Sequence, residues 1–350
     1  MLILGIESTC DETGVAVVED GVKIRSNFIA SSVSKLAKYG GVVPEVVARD
    51  QVKFIIPLIE EALSGIDRDK IDAIAVSYGP GLVGSLLIGV ETAKTLAVAW
   101  KKPLIPVNHL KAHIYSNWLD SNSMHEIGSF ESKARNSKKP QFPLVALIVS
   151  GGHTDLVLMK DHGDFKLLGS TLDDAAGEAF DKVARVLGLG FPGGPEIEQL
   201  ALRFAQGKPI SKKSALSLPR SMMNSNDFNF SFSGIKTAVA NFVHGSQLTI
   251  HGKSVIAFEF QEAVCDVLVS KTIRAAKKFV ANSIVVGGGV SANSRLREML
   301  IEKSTTFDVN VFFPPKNLSV DNGAMIAAAA FFEKKFSDPL KTVANPLLHF

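Results

Sequence analysis

The chain has 350 residues, 46% of them hydrophobic, and a formal net charge of +3 at pH 7. This length and apolar fraction exclude a disordered chain and suggest two domains, and no apolar run approaches the roughly 20 residues needed to span a membrane. Two cysteines, Cys10 and Cys265, are too few for a disulfide framework, and the N-terminus lacks the basic flank and long apolar stretch of a secretory signal. We therefore expect a cytoplasmic globular protein with no membrane partner. The mild positive charge allows a nucleic-acid partner without indicating one.

The N-terminal residues predict a β-hairpin followed by a third strand. "LILGIES" (residues 2–8) is typical of a buried strand, "CDETG" of a polar turn and "VAVVED" of a second strand, with a third expected in "VKIRSNFIAS". Farther on, "VKFIIPLIEEALSG" and "SLLIGVETAKTLAVAW" predict helices on either side of a strand in "IDAIAVSYGPG".

The three-strand pattern returns near residue 144, in "LVALIVSGGHTDLVLMKDHGDFKLLGS". We interpret this as an internal duplication of about 140 residues. The second half also predicts a helix over 172–188 with a dense acidic start, a helix pair or kinked helix over 254–280, and a strand in "SIVVGGGV". Two such halves predict a two-lobed α/β molecule with a cleft between the lobes, and the polar residues 120–141 predict an exposed linker.

Two histidines four positions apart, His109 and His113, are a candidate metal site. On a helix they share one face and could bind one ion, although ordinary histidines on a polar face are an equally good interpretation. Leu110 occupies the place of the glutamate in the zinc-protease pattern H-E-x-x-H. The pair therefore does not indicate a metal-activated hydrolytic water.

Five glycine-rich stretches are candidate ligand-binding loops. None matches the P-loop pattern, but glycine after a strand lets backbone N–H groups approach a phosphate closely, and the five together favour nucleotide binding in the cleft. They are "YGPGLVGS" (78–85), "SGGHT" (150–154), "GLGFPGGP" (188–195), "FSGIK" (232–236) and "GGGVSAN" (287–293). Asp11 and Glu12, in the first hairpin turn, are either ordinary turn residues or acids that orient water or a metal.

With these motifs in place, the chain resembles the tRNA threonylcarbamoyladenosine transferase family, called TsaD in bacteria, from residue 2 to about 335. The resemblance rests on nine ordered motifs: "GIESTCDETG", "YGGVVPEVVARD", "GPGLVGSLLIG", "NHLKAHIYS", "VSGGHT", "LDDAAGEAFDKVARVLGLGFPGGP", "FSFSGIKTA", "GGGVSAN" and "DNGAMIA". It implies an α/β fold of the actin/Hsp70/sugar-kinase (ASKHA) type, made of duplicated RNase H-like domains. We expect one lobe over 1–119, completed by a C-terminal helix at about 321–350, a linker over 120–141, and a second lobe over 142–320.

The resemblance also implies a reaction, the transfer of the threonylcarbamoyl group from threonylcarbamoyl-AMP to N6 of adenosine 37 in tRNAs reading codons that begin with A. His109, His113 and Asp321 would bind one divalent metal, Fe²⁺ or Zn²⁺, and Asp11 and Glu12 would be catalytic. The implied substrate-binding residues, for the adenylate donor or bound ATP or ADP, are Ile148, Val149, Ser150, Gly151, Gly152, Asp181, Gly194, Glu198 and Asn293.

The partners implied by the resemblance are tRNA, a paralogous TsaB-type protein, a TsaE-type ATPase and a TsaC-type enzyme that supplies the adenylate, with a homodimer as the other arrangement. Two other functions stay open: an ATP-dependent kinase or hydrolase of the same fold, and a non-catalytic module like the family's paralogue. That paralogue lacks the histidine pair, so His109 and His113 argue against the module.

Overall fold

The computed structural model describes residues 1–120, 139–206, 216–244 and 248–350, which form two compact units. The first unit comprises Met1–Pro140, His162–Asp164 and Pro314–Phe350, and the second comprises Gln141–Asp161 and Phe165–Phe313. The first unit is therefore discontinuous, because the chain builds the second unit before it returns with its C-terminal residues. Most of the expected linker, residues 121–138, lies outside the described residues.

The first unit contains a five-stranded mixed sheet. Its strands are β1 (Leu2–Glu7), β2 (Glu12–Glu19), β3 (Lys23–Ser31), β4 (Ala73–Gly79) and β5 (Leu104–Asn108). They lie in the order β3-β2-β1-β4-β5. β2 is antiparallel to β1 and β3, as predicted for the N-terminal hairpin and third strand, whereas β1, β4 and β5 are parallel. β1 is covered on both faces, which explains its continuous apolar run.

The sheet of the second unit repeats this topology. Its strands are β6 (Leu144–Val149), β7 (Thr154–Asp161), β8 (Asp164–Ser170), β9 (Ser283–Gly287) and β10 (Asn310–Phe312). Their order is β10-β9-β6-β7-β8, with β6 antiparallel to β7 and parallel to β9. In both sheets the first strand is central, with the next two strands on one side and the two later strands on the other. The predicted duplication is confirmed.

Helices flank both sheets. Among the described residues the α-helices are α1 (Val33–Leu36), α2 (Pro44–Ala62), α3 (Val83–Trp100), α4 (His109–Tyr115), α5 (Ala176–Val186), α6 (Gly193–Gln206), α7 (Ser233–Val243), α8 (Ile250–Lys278), α9 (Ser294–Ser304) and α10 (Gly323–Glu333). The first four and α10 belong to the first unit, and the others belong to the second. The predicted helix pair or kinked helix near 254–280 is the single helix α8.

Helix α10 packs against β1 and β2 at unusually short range. A Cβ atom added to Gly5 would lie 2.2 Å from the carbonyl oxygen of Gly323, and one added to Gly14 would lie 2.7 Å from the Gly323 nitrogen. No side chain fits at these distances, so the contact requires glycine on both strands. The contact fixes the beginning of α10, and with it Asp321 two residues earlier, against the sheet.

The acidic start predicted for the helix over 172–188 is partly wrong, because α5 begins only at Ala176. Asp173 instead lies at the N-terminus of α7. Its carboxylate accepts hydrogen bonds from the backbone N–H groups of Phe232 and Ser233 (2.8 and 3.2 Å) and from the hydroxyls of Ser231 and Ser233 (both 2.6 Å). Asp173 therefore stabilises the start of α7 and not the start of α5, the helix that follows it in the sequence.

One helix among the described residues, α3, is long and apolar enough to cross a membrane, with 18 residues and a mean hydropathy of 1.3. It packs within the first unit, where its buried residues include Leu86, Val90 and Ala93. A buried core helix of a globular domain has the same length and composition, so this feature is weak evidence for a membrane span.

Candidate functional site

His109 and His113 both lie on α4, as their spacing predicts. The helix begins directly after β5, where the Asn108 side chain accepts hydrogen bonds from the backbone N–H groups of Leu110 (2.9 Å) and Lys111 (3.2 Å). This N-cap fixes the helix start at His109. The two imidazole rings share one helix face, with centroids 4.6 Å apart, and both side chains are buried.

Asp321 completes a group of three potential metal ligands. It precedes Asn322, whose side chain caps α10 by accepting from the Met325 N–H at 3.0 Å. Asp321 Oδ1 lies 3.1 Å from His113 Nε2 and 3.6 Å from His109 Nε2. One ligand atom from each residue lies within 4.8 Å of the other two, and this is the one such group of His, Cys, Asp and Glu found in the described part of the chain.

The chemistry of this group fits a divalent transition metal. Two imidazoles and one carboxylate suit Fe²⁺ or Zn²⁺ and leave coordination positions open for a substrate. Within the described residues, neither ring nitrogen of the buried His113 makes a hydrogen bond, although Asp321 Oδ1 lies 3.1 Å from Nε2. A buried polar atom normally has a partner, and a metal ion would supply one for Nε2.

A buried carboxylate lies behind His109. Glu7, the last residue of β1, is 0% exposed, and its Oε2 lies 3.0 Å from His109 Nδ1, on the ring edge away from Asp321. Its Oε1 accepts a hydrogen bond from the Thr9 N–H at 2.6 Å. Burial alone lowers the pKa of His109, but the charges of Glu7 and Asp321 outweigh it and raise this pKa to about 9. The negative charges of Glu7 and Asp321 therefore favour the binding of a cation next to His109.

The two predicted catalytic acids lie at the start of β2, Asp11 in the turn that precedes the strand and Glu12 as its first residue. The amide of the buried Gln51 donates to the carbonyl oxygens of Cys10 (2.8 Å) and Glu12 (3.2 Å), which fixes the turn. Burial, and then the charges of Asp321 and Asp11, raise the pKa of Glu12 to about 10. Burial also raises the pKa of the Cys10 thiol. The charge of Asp321 thus acts on Glu12, and Asp11 is hydrogen-bonded to Glu12, while the catalytic role of both acids stays a prediction.

The predicted substrate-binding residues lie in the second unit. Ile148 and Val149 end β6, and Ser150, Gly151 and Gly152 form the turn that follows, with both glycines exposed. Two further glycines pack closely on this strand end. A Cβ at Gly177 would lie 2.5 Å from the Ser150 carbonyl oxygen, and one at Gly288 would lie 2.5 Å from that of Val149. The beginning of α5 and the loop after β9 thus meet the carboxyl end of β6, where ligands commonly bind in α/β sheets.

The remaining substrate-binding candidates fix helix starts in the same unit. Asp181 Oδ1 accepts from the Gly193 N–H at the start of α6 (2.7 Å), next to Gly194, where an added Cβ would meet open space. Glu198 Oε1 accepts from the Ser294 N–H at the start of α9 (2.9 Å), which Asn293 caps. These bonds give the residues a structural role. The helix starts also present positive ends that favour a phosphate.

Two residues of the site, Glu7 and Gln51, were not predicted from the sequence. Glu7 carried one signal, as an acid at the end of the otherwise apolar segment "LILGIE". A carboxylate is rarely buried without a partner, so the segment itself indicates a contact. Gln51 carried no such signal, because nothing in the sequence of α2 distinguishes it from a solvent-exposed glutamine.

Solved structures with a similar fold are distant in sequence. Component A of the (R)-2-hydroxyglutaryl-CoA dehydratase of Acidaminococcus fermentans is 13% identical, with a TM-score of 0.50, and the match covers 95% of this chain and 98% of that chain. HypF from T. kodakarensis is 14% identical, with a TM-score of 0.56, and the match covers 94% of this chain and 47% of that chain. These similarities show the fold alone, which is the predicted ASKHA type.

The sequence comparisons are far more specific. A curated relative from Thermomicrobium roseum, a tRNA N6-adenosine threonylcarbamoyltransferase, is 50% identical over 95% of this chain and 92% of its own length. A relative of the same name from Moorella thermoacetica is 47% identical over 98% of this chain and 96% of its own length. Residues 23–328 match the sequence model of TsaD, tRNA N6-adenosine threonylcarbamoyltransferase. The chain therefore belongs to the TsaD family of tRNA N6-adenosine threonylcarbamoyltransferases.

Proposed function

We propose that this enzyme transfers the threonylcarbamoyl group from threonylcarbamoyl-AMP to N6 of adenosine 37 in tRNAs that read codons beginning with A. One divalent metal ion, Fe²⁺ or Zn²⁺, assists the transfer and is bound by His109, His113 and Asp321. The observation that carries this proposal is the group of these three residues, with both histidines buried, in a chain that is 50% identical to a curated transferase over 95% of its length.

We assign the donor to the second unit. The exposed backbone of Gly151 and Gly152 offers N–H groups to a phosphate, and the start of α5 lies directly behind this turn. The full set that lines the adenylate and the threonylcarbamoyl group is Ile148, Val149, Ser150, Gly151, Gly152, Asp181, Gly194, Glu198 and Asn293. The same backbone groups would accept ATP or ADP.

In the transfer step, N6 of adenosine forms a bond with the carbamoyl carbon, and the bond from that carbon to the phosphate oxygen breaks as AMP leaves. An exocyclic amine is a poor nucleophile, so positioning and the activated mixed anhydride supply much of the rate. A metal held by His109, His113 and Asp321 would supply positive charge that stabilises the negative charge developing in the transfer. Asp11 would accept the proton that the amine loses, and Glu12, whose raised pKa keeps it protonated, would orient the reacting groups; Gln51 fixes their turn.

The test is transfer with purified protein, pre-formed threonylcarbamoyl-AMP and unmodified tRNA, read by mass spectrometry of the nucleosides. We expect modified adenosine from the wild type and none from His113→Ala, which also loses the metal. Asp50→Asn is the control, because Asp50 is a buried acid of the same unit bound by Lys35 at 2.7 Å. Wild-type metal content in both His109→Ala and His113→Ala would show that the proposed ligands are wrong.

The same assay separates the transferase from the alternatives. No product from the protein alone, but product after the TsaB-type and TsaE-type proteins are added, would keep the transferase and make the partners obligatory. No product under either condition, with metal bound, would favour an ATP-dependent kinase or hydrolase if ATP is consumed, and a non-catalytic module if it is not.

An exposed apolar face on α2 and α3 supports a protein partner. Val52 and Ile56 on α2 are 62% and 50% exposed, and Leu87 on α3 is 46% exposed. They line a shallow cavity of about 400 Å³. Contiguous apolar surface of this kind marks interaction sites, and we propose that it binds the paralogous TsaB-type protein.

We expect Ile56→Glu to abolish the heterodimer in size-exclusion chromatography with light scattering. Ile301→Glu, an isoleucine of 46% exposure on α9, should leave the heterodimer intact. A dimer of this chain alone that Ile56→Glu disrupts would assign the face to a second copy instead.

We further propose that a TsaC-type enzyme supplies the adenylate and that the protein acts in the cytoplasm.

A further inference from the structure

The carboxylate of Glu7 is fully buried and has no role in the reaction as described so far. It lies at the end of β1, where both of its oxygens face polar groups of the first unit: Oε1 accepts from the Thr9 N–H at 2.6 Å, and Oε2 lies 3.0 Å from His109 Nδ1. A carboxylate can only accept hydrogen bonds, so Nδ1 of His109 must carry the proton in this contact. In the neutral imidazole that binds a metal, the other ring nitrogen, Nε2, then has its lone pair on the side of Asp321 and His113.

We propose that Glu7 is a positioning residue of the metal site, which fixes His109 in the Nδ1–H tautomer so that Nε2 can bind the ion. This inference rests on the proposed function, because it assumes a metal at His109, His113 and Asp321. Metal-binding histidines generally donate their second N–H to a carboxylate, a carbonyl group or water, and removal of that partner typically lowers metal affinity about 10- to 100-fold.

The arrangement around Glu7 makes the amide variant especially informative. In Glu7→Gln the oxygen must stay on the Thr9 N–H, because that backbone donor is buried and has its bond there. The amide NH₂ then faces His109 Nδ1, and it can only donate. The imidazole then accepts at Nδ1 and carries its proton on Nε2, which is the wrong tautomer for binding the metal. The Thr9 hydroxyl, 3.2 Å from Nδ1, can donate or accept and so selects neither tautomer. A substitution that preserves size and hydrogen-bonding capacity thus reverses the tautomer.

The first experiment measures Zn²⁺ affinity on the full-length, metal-stripped protein by competition with a chromophoric chelator. We expect Glu7→Gln to bind Zn²⁺ about 10- to 100-fold more weakly than the wild type. Asp50→Asn makes the same chemical change at another buried acid of the first unit and should bind like the wild type. Thermal unfolding of each metal-free variant checks that the fold is retained.

The two proposals fail in different ways. If His113→Ala loses Zn²⁺ but Glu7→Gln binds it like Asp50→Asn, the metal site stands and the role of Glu7 is refuted. If His113→Ala binds Zn²⁺ as well as the wild type does, the proposed metal site is wrong, and the inference about Glu7 fails with it.

The second experiment needs no variant at Glu7 and decides the matter if Glu7→Gln does not fold. The Zn²⁺-loaded wild type, labelled with ¹⁵N-histidine, is studied by NMR, and the His109 signals are assigned from the spectrum of His109→Ala. We expect a proton bonded to Nδ1 of His109 and none on Nε2. A Zn²⁺-loaded protein in which Nδ1 of His109 carries no proton would overturn the proposal.

Discussion

A single methyl group at Gly14 tests how α10 positions Asp321. In Gly14→Ala the new Cβ would lie 2.7 Å from the Gly323 nitrogen, whereas ordinary van der Waals contacts begin at 3.4 Å. The obstacle is backbone rather than a flexible side chain, so β2 and α10 must separate by about 0.7 Å, at a cost of about 1–3 kcal/mol in the free energy of unfolding. The same shift moves Asp321 away from His113 Nε2, now 3.1 Å from Oδ1, so Zn²⁺ affinity should fall as well.

The assay combines urea unfolding, followed by circular dichroism, with chelator competition for Zn²⁺. Gly252→Ala is the matched control, because Gly252 lies in α8 and its new Cβ would meet Leu248 Cδ2 at an ordinary 3.4 Å. Alanine is favoured over glycine within a helix by about 1 kcal/mol, so this variant should be as stable as the wild type or more stable. If Gly14→Ala matches Gly252→Ala in stability and binds Zn²⁺ like the wild type, the close packing of α10 does not position Asp321.

Three further predictions follow from the geometry. In the first unit, Gln51→Ala should lower the free energy of unfolding by about 1–3 kcal/mol, because two carbonyl groups of the acidic turn lose their donor. It should also lower the transfer rate more than the Zn²⁺ affinity, and an unchanged rate would argue against a role for that turn. In the second unit, Asp173→Asn should destabilise the protein by about 0.3–1 kcal/mol at neutral pH, because the negative charge at the start of α7 is lost. Partial burial raises the pKa of Asp173, but its hydrogen bonds outweigh this and hold the pKa below its usual value. The stabilisation is therefore complete above the unfolded-state pKa and is lost as the pH falls through the folded-state pKa, so the wild type and Asp173→Asn should unfold at the same urea concentration in acid. Finally, Zn²⁺ at 100 times its dissociation constant should stabilise the wild type by about 2.7 kcal/mol, and the same Zn²⁺ concentration should not stabilise His113→Ala.

The sequence predicted the local features of the fold and of the site well. Apolar alternation located the hairpins of both sheets, and a spacing of four residues placed His109 and His113 on one face of a helix. Periodicity alone could not decide whether 254–280 was one helix or two, because a long amphipathic run is compatible with both. It also misplaced the start of α5, because acidic residues before a helix resemble those of its first turn.

Contacts between distant residues could not be predicted in this way. Glu7 and His109 are separated by 102 residues, and their contact depends on the order of strands in the first sheet, which the hydrophobic pattern does not encode. Asp321 was identified only through the resemblance to a family, since nothing in its own segment marks it among the 35 acidic residues. Its position results from the close contacts of Gly5 and Gly14 with Gly323, and only the structure reveals them.

The discontinuity of the first unit has a consequence for biosynthesis. Ribosomes release the chain from its N-terminus, so both histidines emerge early, whereas Asp321 and α10 follow only after the whole second unit has been made. Until then the glycine-lined surfaces of β1 and β2 lack the helix that covers them. A chain that stops within the second unit therefore lacks one of the three metal ligands, and the complete ligand set exists only in a chain that has been translated beyond that unit.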